Sequence, residues 1–116
     1  ACQKTQRCVI RDDADAIAQT MRSAEVIVFA TPIYFYEMCG QMKTLLDRTN
    51  PLFPSDYAFR DIYLLASAAD GAESAMDGAV KGLQGWIDCF EKGRLKGEIQ
   101  NVPAALKAAY DLGRQA

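Results

Sequence analysis

The sequence contains no histidine in its 116 residues, and this absence excludes two classes of site. Catalysis by a Ser–His or Cys–His pair needs an imidazole base, and a histidine-ligated metal site needs imidazole nitrogens. Long hydrophobic runs are missing as well: residues 26–30 and 62–69 are the longest, far short of the roughly 20 residues that cross a bilayer. Cysteine chemistry, carboxylate chemistry or the chemistry of a cofactor remains.

Neither sign of charge dominates the sequence. Lys and Arg number 13 against 15 Asp and Glu, which gives a net charge of −2. A basic surface for nucleic acid is therefore not expected, and no membrane partner is expected either. The chain is 50% hydrophobic and 24% charged, a balance typical of one globular domain of this length.

Four cysteines occur without a recognisable signal peptide: Cys2, Cys8, Cys39 and Cys89. This combination favours a reducing cytoplasm over a framework of disulfides. The chain also opens abruptly, without an initiator methionine, so we expect it to begin inside a longer protein.

The first half of the chain alternates helix and strand patterns. Residues 12–24 predict a helix that Asp12 or Asp13 caps. The apolar run at residues 25–30 has no alternation, which is typical of a parallel strand that is covered on both faces. Pro32 should end this strand, because proline lacks the N–H that a ladder needs.

A second helix and a second strand complete a unit. The helix pattern returns over residues 37–48 and ends before Pro51. Residues 61–67 then predict another buried strand. Strand, helix and strand together indicate a βαβ crossover with parallel strands.

The segment of residues 74–90 carries two stripes at helical spacing. One stripe is apolar and should face the core: Met76, Val80, Leu83, Ile87 and Phe90. The other consists of small residues: Ala75, Gly78, Gly82, Gly85 and Cys89. Each interior glycine costs about 1 kcal/mol relative to alanine, so another element should approach this side closely. That element is either the chain's own sheet or a second subunit.

The C-terminal region predicts one more helix, which begins at Pro103 and ends at Gly113. Residues 91–101, which precede it, contain only two apolar residues, Leu95 and Ile99. A doubly wound sheet needs another buried strand there, and this stretch does not predict one.

Three groups of residues, taken in order, resemble a known family. They are Cys2 with Cys8 and Asp12-Asp13, then the run Val28-Phe-Ala-Thr-Pro-Ile-Tyr-Phe35, then Gly40-Gln-Met-Lys43 followed by Asp47-Arg48. This order resembles the flavodoxin-like NAD(P)H-dependent FMN reductases and iron–sulfur flavoproteins. The ending Ala109-Tyr-x-Leu-Gly-Arg114 fits as well.

The resemblance implies an α/β fold, a flavodoxin-like three-layer, doubly wound parallel sheet. Residues 1–116 would form one domain, the C-terminal part of the family domain. The family's N-terminal strand with its phosphate loop, and its last strand, have no counterpart in the sequence, so we expect the fold to be incomplete. Because FMN sits at the switch point between strands 1 and 3 of such a sheet, this chain alone should bind FMN poorly. We prefer an incomplete sequence to a truncated protein, since missing strands would expose apolar faces.

The resemblance also implies a flavin site after the first strand. Thr31, Pro32, Ile33, Tyr34 and Phe35 would line the isoalloxazine ring. The alternative is that Ile33, Tyr34 and Phe35 only cover the next helix. Ser67 ends the second strand among small residues that let a planar ring approach, although this segment also reads as a plain turn.

Cys2 and Cys8 match, by the same resemblance, the third and fourth cysteines of a compact cluster motif. An iron–sulfur cluster needs four thiolates, so the alternative is that both are structural thiols. Cys39, at a helix start, is either a thiol of lowered pKa or a packing residue. Asp47 and Arg48 are expected to form an ion pair or to fix the helix end.

Two functions follow. The first is an FMN-dependent oxidoreductase that passes electrons from NAD(P)H to a flavin, a quinone or a similar acceptor, without a catalytic side chain. FMN and a nicotinamide nucleotide would be its partners, and a homo-oligomer its assembly. The second is a non-enzymatic assembly or interaction module without bound flavin, in which another chain fills the exposed sheet edge.

Overall fold

The structure, a computed structural model, describes residues 2–100 and 110–115. The helices of this part are α1 (Cys2–Thr5), α2 (Asp13–Ser23), α3 (Gly40–Arg48) and α4 (Asp77–Ile87). The strands are β1 (Val26–Tyr34), β2 (Glu37–Met38), β3 (Asp61–Ser67) and β4 (Arg94–Gln100). Short 3-10 turns occupy Asn50–Leu52 and Glu73–Met76.

The strands form one sheet in the order β2-β1-β3-β4. β1 and β3 are parallel, with Val26 opposite Asp61 and Pro32 opposite Ser67. β4 is parallel to β3, whereas β2 folds back antiparallel to β1. The predicted βαβ unit is confirmed, and the carboxyl ends of three parallel strands meet at one edge of the sheet.

The core lies between one face of the sheet and the helices α2, α3 and α4. Ile27 and Phe29 of β1 are buried there with Ile62 and Leu64 of β3. The predicted apolar stripe of α4 faces this core; four of its residues are buried and one is partly buried: Met76, Leu83, Ile87, Phe90 and Val80. Burial of one such side chain stabilises the fold by about 1.5–3 kcal/mol.

Trp86 joins an aromatic cluster inside this core. Its ring lies 4.6 Å from that of Phe90 and 5.5 Å from that of Phe29, centroid to centroid. Its indole N–H donates to Oγ1 of Thr49 at 2.8 Å, and Thr49 is fully buried. Trp86 belongs to neither of the two stripes of residues 74–90, and it packs against the chain's own core.

The prediction that β1 is covered on both faces is wrong for this chain. Burial alternates along the strand: Ile27, Phe29 and Thr31 are buried, while Val26 is 37% and Val28 56% exposed. Within the part of the chain that the structure describes, the helices α2, α3 and α4 pack on the face that carries Ile27 and Phe29. Residue type alone does not distinguish a strand with one open face from one with two covered faces.

The prediction that the last strand is absent is also wrong. β4 pairs with β3 over residues 94–100, with Ile62 opposite Leu95 and Leu65 opposite Ile99. Its apolar residues are partly buried, and Arg94, Lys96 and Glu98 are exposed. As the end of the described sheet, β4 needs few apolar residues. The predicted C-terminal helix starts outside the described residues; residues 110–113 are helical.

Two element boundaries differ from prediction around Pro32. The strand continues through Pro32 to Tyr34. Pairing with β2 begins only at Ile33, so on the β2 side of the strand no backbone N–H is needed at Pro32 for a hydrogen bond. Residues 37–38 form β2 instead of helix, and α3 begins at Gly40. The reason is a tight hairpin turn at Phe35 and Tyr36, which the sequence pattern did not reveal.

The small-residue stripe of α4 faces the chain's own hairpin. A Cβ placed on Gly78 would lie 2.2 Å from the carbonyl oxygen of Tyr36, and one on Gly82 would lie 3.1 Å from Cε of Met38. A Cβ on Gly85 would meet nothing within 4 Å. Of the two elements considered for this close approach, the chain's own sheet supplies it.

No helix within the described part of the chain is both long and apolar enough to span a membrane.

Candidate functional site

A cleft of about 320 Å³ opens at the carboxyl ends of β1 and β3. Six uncharged residues line it: Ala30, Thr31, Pro32, Leu65, Ala66 and Ser67. Ligands of open α/β sheets bind at this edge, and the volume lies at the small end of the range for ligand pockets. Three of the predicted site residues, Thr31, Pro32 and Ser67, come together here from two strands.

Thr31 fixes the corner between β1 and the hairpin. Its side chain is buried, its hydroxyl donates to the carbonyl of Pro32 at 2.9 Å, and the same oxygen accepts from the backbone N–H of Cys39 at 3.0 Å. These two contacts hold the hydroxyl inside the corner. Thr31 therefore makes the cleft wall rigid, and a ligand would meet its backbone sooner than its side-chain oxygen.

Cys39 stands at the start of α3, beside this corner. A hydrogen bond with Thr31 first, and the backbone N–H of Met42 second, hold the pKa of the Cys39 thiol below its ordinary value. The predicted direction is confirmed. Cys39 also packs partly buried against the core, so the packing interpretation holds as well.

The other three predicted site residues lie outside the cleft lining. Ile33 is partly buried against the core, which agrees with the alternative that it is hydrophobic cover. Tyr34 and Phe35 stand beyond the cleft in the hairpin and are 62% and 99% exposed. Their contact with a flavin ring stays a prediction.

The hairpin turn has an unusual backbone. Phe35 and Tyr36 both have positive φ, 52° and 65°, as a two-residue type I′ turn requires. Glycine, asparagine or aspartate normally fills these positions, because other residues pay roughly 1–2 kcal/mol in this region. Two aromatic residues take the turn instead, and therefore no turn signal was present in the sequence.

A side-chain contact joins the hairpin to the loop that follows β3. The hydroxyl of Tyr36 donates to Oδ2 of Asp70 at 3.3 Å, and Oδ1 of Asp70 accepts from the backbone N–H of Ala72 at 2.9 Å. The sequence did not predict this contact between Tyr36 and Asp70. The only available signal was the Asp70-Gly71 turn itself.

The cysteine segment lies elsewhere, around Arg48 at the end of α3. The guanidinium donates twice to the carboxylate of Asp12, at 2.8 Å each, once to the carbonyl of Ile10 at 3.2 Å, and through Nε to Sγ of Cys8 at 3.3 Å. The predicted ion pair of Asp47 with Arg48 is wrong, whereas the alternative agrees with these contacts, since they fix the end of α3 through Arg48. Asp47 instead pairs with Lys43, one helical turn away.

These contacts shift two pKa values in this segment. The backbone N–H of Ile10 first, and the Arg48 guanidinium second, lower the pKa of the Cys8 thiol. The hydrogen bond from Arg48 holds the pKa of the Asp12 carboxyl below its ordinary range. Arg48 therefore favours the ionised forms of both groups.

Cys2 and Cys8 both lie near the end of α3, since Sγ of Cys2 accepts from the amide of Asn50 at 3.4 Å. The described residues contain no group of three or more Cys, His, Asp or Glu side chains able to hold a metal ion. The two thiols do not make a cluster site among these residues. Their role as cluster ligands stays a prediction.

The model of a protein family described as NADPH-dependent FMN reductase matches residues 1–91, which is most of the chain. The chain belongs to this family. Residues of the cleft, the hairpin and the Arg48 segment all fall within the matched range.

Curated relatives of known sequence resemble the chain over part of their length. An iron-sulfur flavoprotein of Methanosarcina thermophila is 30% identical over 88 residues, which cover 75% of this chain and 46% of that protein. The chain spans less than half the length of the curated relatives that it matches first.

Two solved structures show the fold. The Trp repressor binding protein from Bacillus subtilis superposes with a TM-score of 0.64 at 21% identity, over 87% of this chain and 72% of that one. General stress protein 14 from Treponema denticola, solved in complex with FMN, gives 0.54 at 19% identity, over 90% of this chain and 70% of that one. The predicted flavodoxin-like α/β fold is confirmed.

Proposed function

We propose that the protein is an FMN-dependent oxidoreductase that takes electrons from NAD(P)H, and that this chain supplies one wall of the isoalloxazine site. The observation that carries the proposal is the cleft at the carboxyl ends of β1 and β3. Thr31, Pro32 and Ser67 lie together there, at the edge where a sheet of this class binds nucleotides.

The cleft fits the ring of FMN better than its phosphate. The lining residues carry no charge and are mostly small, so a flat neutral ring can approach the backbone closely. A phosphate needs cations or converging N–H groups, and the lining offers no cation. The phosphate would therefore be held by other parts of the protein.

FMN, when bound, supplies the redox chemistry by accepting a hydride and passing electrons on. The residues of this chain orient the ring. Thr31 and Pro32 fix one wall, because the Thr31 hydroxyl bonds tie that corner to the start of α3. Ser67, exposed at the end of β3, offers a hydroxyl to a polar edge of the ring.

The electron acceptor is proposed to be a flavin, a quinone or a similar flat molecule. Its support is the exposed aromatic hairpin beside the cleft, with Tyr34, Phe35 and Tyr36 each more than half exposed. Aromatic faces stack on flat rings. No side-chain acid or base is required of the chain for such a reaction.

The flavin site is tested by narrowing the cleft from its solvent side. Ala30 is exposed and lines the cleft, so Ala30→Leu should fill it without disturbing the core. We expect lumiflavin, the ring without the phosphate, to bind about tenfold more weakly or worse, as followed by flavin fluorescence.

Val28→Leu is the matched control, since Val28 is exposed two residues earlier on the same face and does not line the cleft. Its affinity for lumiflavin should equal that of the wild type. Equal binding by Ala30→Leu and wild type would contradict the site. A wild-type chain that does not bind lumiflavin and does not oxidise NADPH when FMN is added would contradict the function.

A second candidate function, assembly with another chain, has one observation in its favour. Val26 and Val28 expose the open face of β1, and within the described residues the Val26–Pro32 part of β1 is paired on the β3 side only. Open strand edges and apolar faces invite pairing. A homo-oligomer built on this face is compatible with the flavin site.

A further inference from the structure

The hairpin that carries the exposed aromatic residues rests on α4 through backbone contact. At Gly78 the space that a Cβ would need is occupied by the Tyr36 carbonyl, with the oxygen at 2.2 Å and the carbon at 3.3 Å. Carbon atoms in contact normally stand about 3.5–4.0 Å apart. Any side chain at Gly78 therefore has to displace the backbone of the hairpin.

Tyr36 is held at a second point by its side chain. Its hydroxyl donates to Asp70, so α4 bounds its carbonyl while the loop after β3 holds its ring. Pro32 of the cleft leads into the hairpin, and Ser67 of the cleft leads into the Asp70 loop. The two walls of the cleft are thus joined just beyond it.

The turn needs this support because it is strained. Phe35 and Tyr36 adopt left-handed φ values without glycine or asparagine, and such conformations persist only where the surroundings impose them. The result is a fixed projection of Phe35 into solvent, 99% exposed. A hairpin free to relax would not keep its aromatic rings in this place.

We infer that Gly78 is a positioning residue for the flavin site: it seats the Tyr34–Glu37 hairpin so that its aromatic residues form a preset rim of the cleft. This inference rests on the proposed function. A preset rim costs less conformational entropy when a flat ring binds, and therefore strengthens binding. Gly78 acts through Tyr36 and does not touch the ligand itself.

The test compares three alanine variants of one helix. Gly78→Ala meets hairpin backbone, Gly82→Ala meets the flexible end of Met38 at 3.1 Å, and Gly85→Ala meets nothing within 4 Å. All three lie within α4 and gain helix propensity, and they differ in what the added Cβ meets, so a large difference at residues 34–37 reports the contact with the hairpin.

We expect amide hydrogen exchange at residues 34–37 to accelerate about tenfold in Gly78→Ala, slightly in Gly82→Ala and not at all in Gly85→Ala. The affinity for lumiflavin should fall in the same order, by about tenfold for Gly78→Ala. A purely structural role for Gly78 would lower the melting temperature without this parallel change. Gly85→Ala should bind like the wild type and melt slightly higher.

Unchanged exchange at residues 34–37 in Gly78→Ala would show that Gly78 does not hold the hairpin in place. Faster exchange with unchanged lumiflavin affinity would overturn the positioning role. If Gly78→Ala does not fold, Gly82→Ala takes its place in the test. Wild-type hydrogen exchange and wild-type lumiflavin affinity in Gly82→Ala would then count against the inference. Failure of the wild type to bind lumiflavin would contradict the proposed function. The hydrogen-exchange measurement needs no ligand, so it tests separately whether Gly78 holds the hairpin.

Discussion

At the scale of single residues, Arg48 organises the N-terminal segment. Its guanidinium contacts the carboxylate of Asp12, the carbonyl of Ile10 and the sulfur of Cys8. Asp12 also caps α2 by accepting from the backbone N–H of Ala14. One charged side chain therefore connects the end of α3 to the start of α2, across 36 residues of sequence.

This contact predicts a pH dependence of stability. Arg48 lowers the pKa of Asp12 in the folded protein, so the ionised carboxylate favours folding. The contribution is complete above the carboxyl pKa of the unfolded chain, about 3.9, and is lost as the pH falls through the lower folded value. The free energy of unfolding should decline over this acidic range.

Asp12→Asn should reduce that decline, because asparagine retains the helix cap and removes the charge. Urea unfolding between about pH 2 and 6 measures it, since this range brackets the ordinary carboxyl pKa of about 3.9. Asp13→Asn, one residue along in the first turn of α2, is the control: it also removes one carboxylate, so the difference in slope between the two variants reports the contact with Arg48. Equal slopes for Asp12→Asn and the wild type would contradict the assignment.

At the scale of elements, the turn of the hairpin between β1 and β2 is strained, and this strain lowers the stability of the fold. Its two turn residues, Phe35 and Tyr36, have φ values that suit asparagine and glycine. Both aromatic side chains are exposed, so hydrophobic burial does not offset the cost of the strained backbone. Strain of this kind at the rim of a cleft favours a role in binding.

Phe35→Asn should therefore raise the free energy of unfolding, by about 0.5–1 kcal/mol, because asparagine tolerates the left-handed conformation. Tyr34→Asn is the control: Tyr34 is also exposed but lies in β1, outside the positive-φ turn, and should give no gain. Urea denaturation measures both variants. A loss of stability in Phe35→Asn would show that the aromatic ring supports the fold after all.

At the scale of the whole molecule, the sheet is covered unevenly. One face carries the core, and the other is open at β1, where Val28 is exposed. Toward β4 the second face is covered, since Leu112 approaches Gly97 and Tyr63 is buried. The open region is an apolar surface on β1, next to the part of that strand that lines the cleft.

This asymmetry predicts that the chain self-associates. Val28→Lys should shift it towards the monomer mass in sedimentation velocity, because a lysine on an open strand face opposes pairing. Gln41→Lys, an exposed substitution on α3, adds the same charge elsewhere and should leave the mass unchanged. A wild-type chain that sediments as a monomer at all concentrations would contradict the expectation.

Local patterns predicted the parts of the fold that local forces determine. The α2 helix with its Asp12 cap, the exact span of β3 and the apolar stripe of α4 all follow from spacing and capping. These features need only the period of a helix or strand and the direction of the chain. Thr31 and Pro32 were predicted as site residues from the family resemblance, and Ser67 from the small residues that end the second strand. The parallel pairing of β1 with β3 brings these three residues together at the cleft.

Tertiary contact decided the rest. β4 is a strand because β3 offers it a ladder, although its sequence has few apolar residues. The hairpin forms at two aromatic residues because Gly78 and Asp70 hold Tyr36 from two sides. These strand partners and contact residues lie 30 or more residues away in sequence, and the free energy of the contacts overrides local propensity. The amino-acid order thus determined the family and the edge of the sheet where the cleft opens, whereas packing decided the shape of the hairpin beside that cleft.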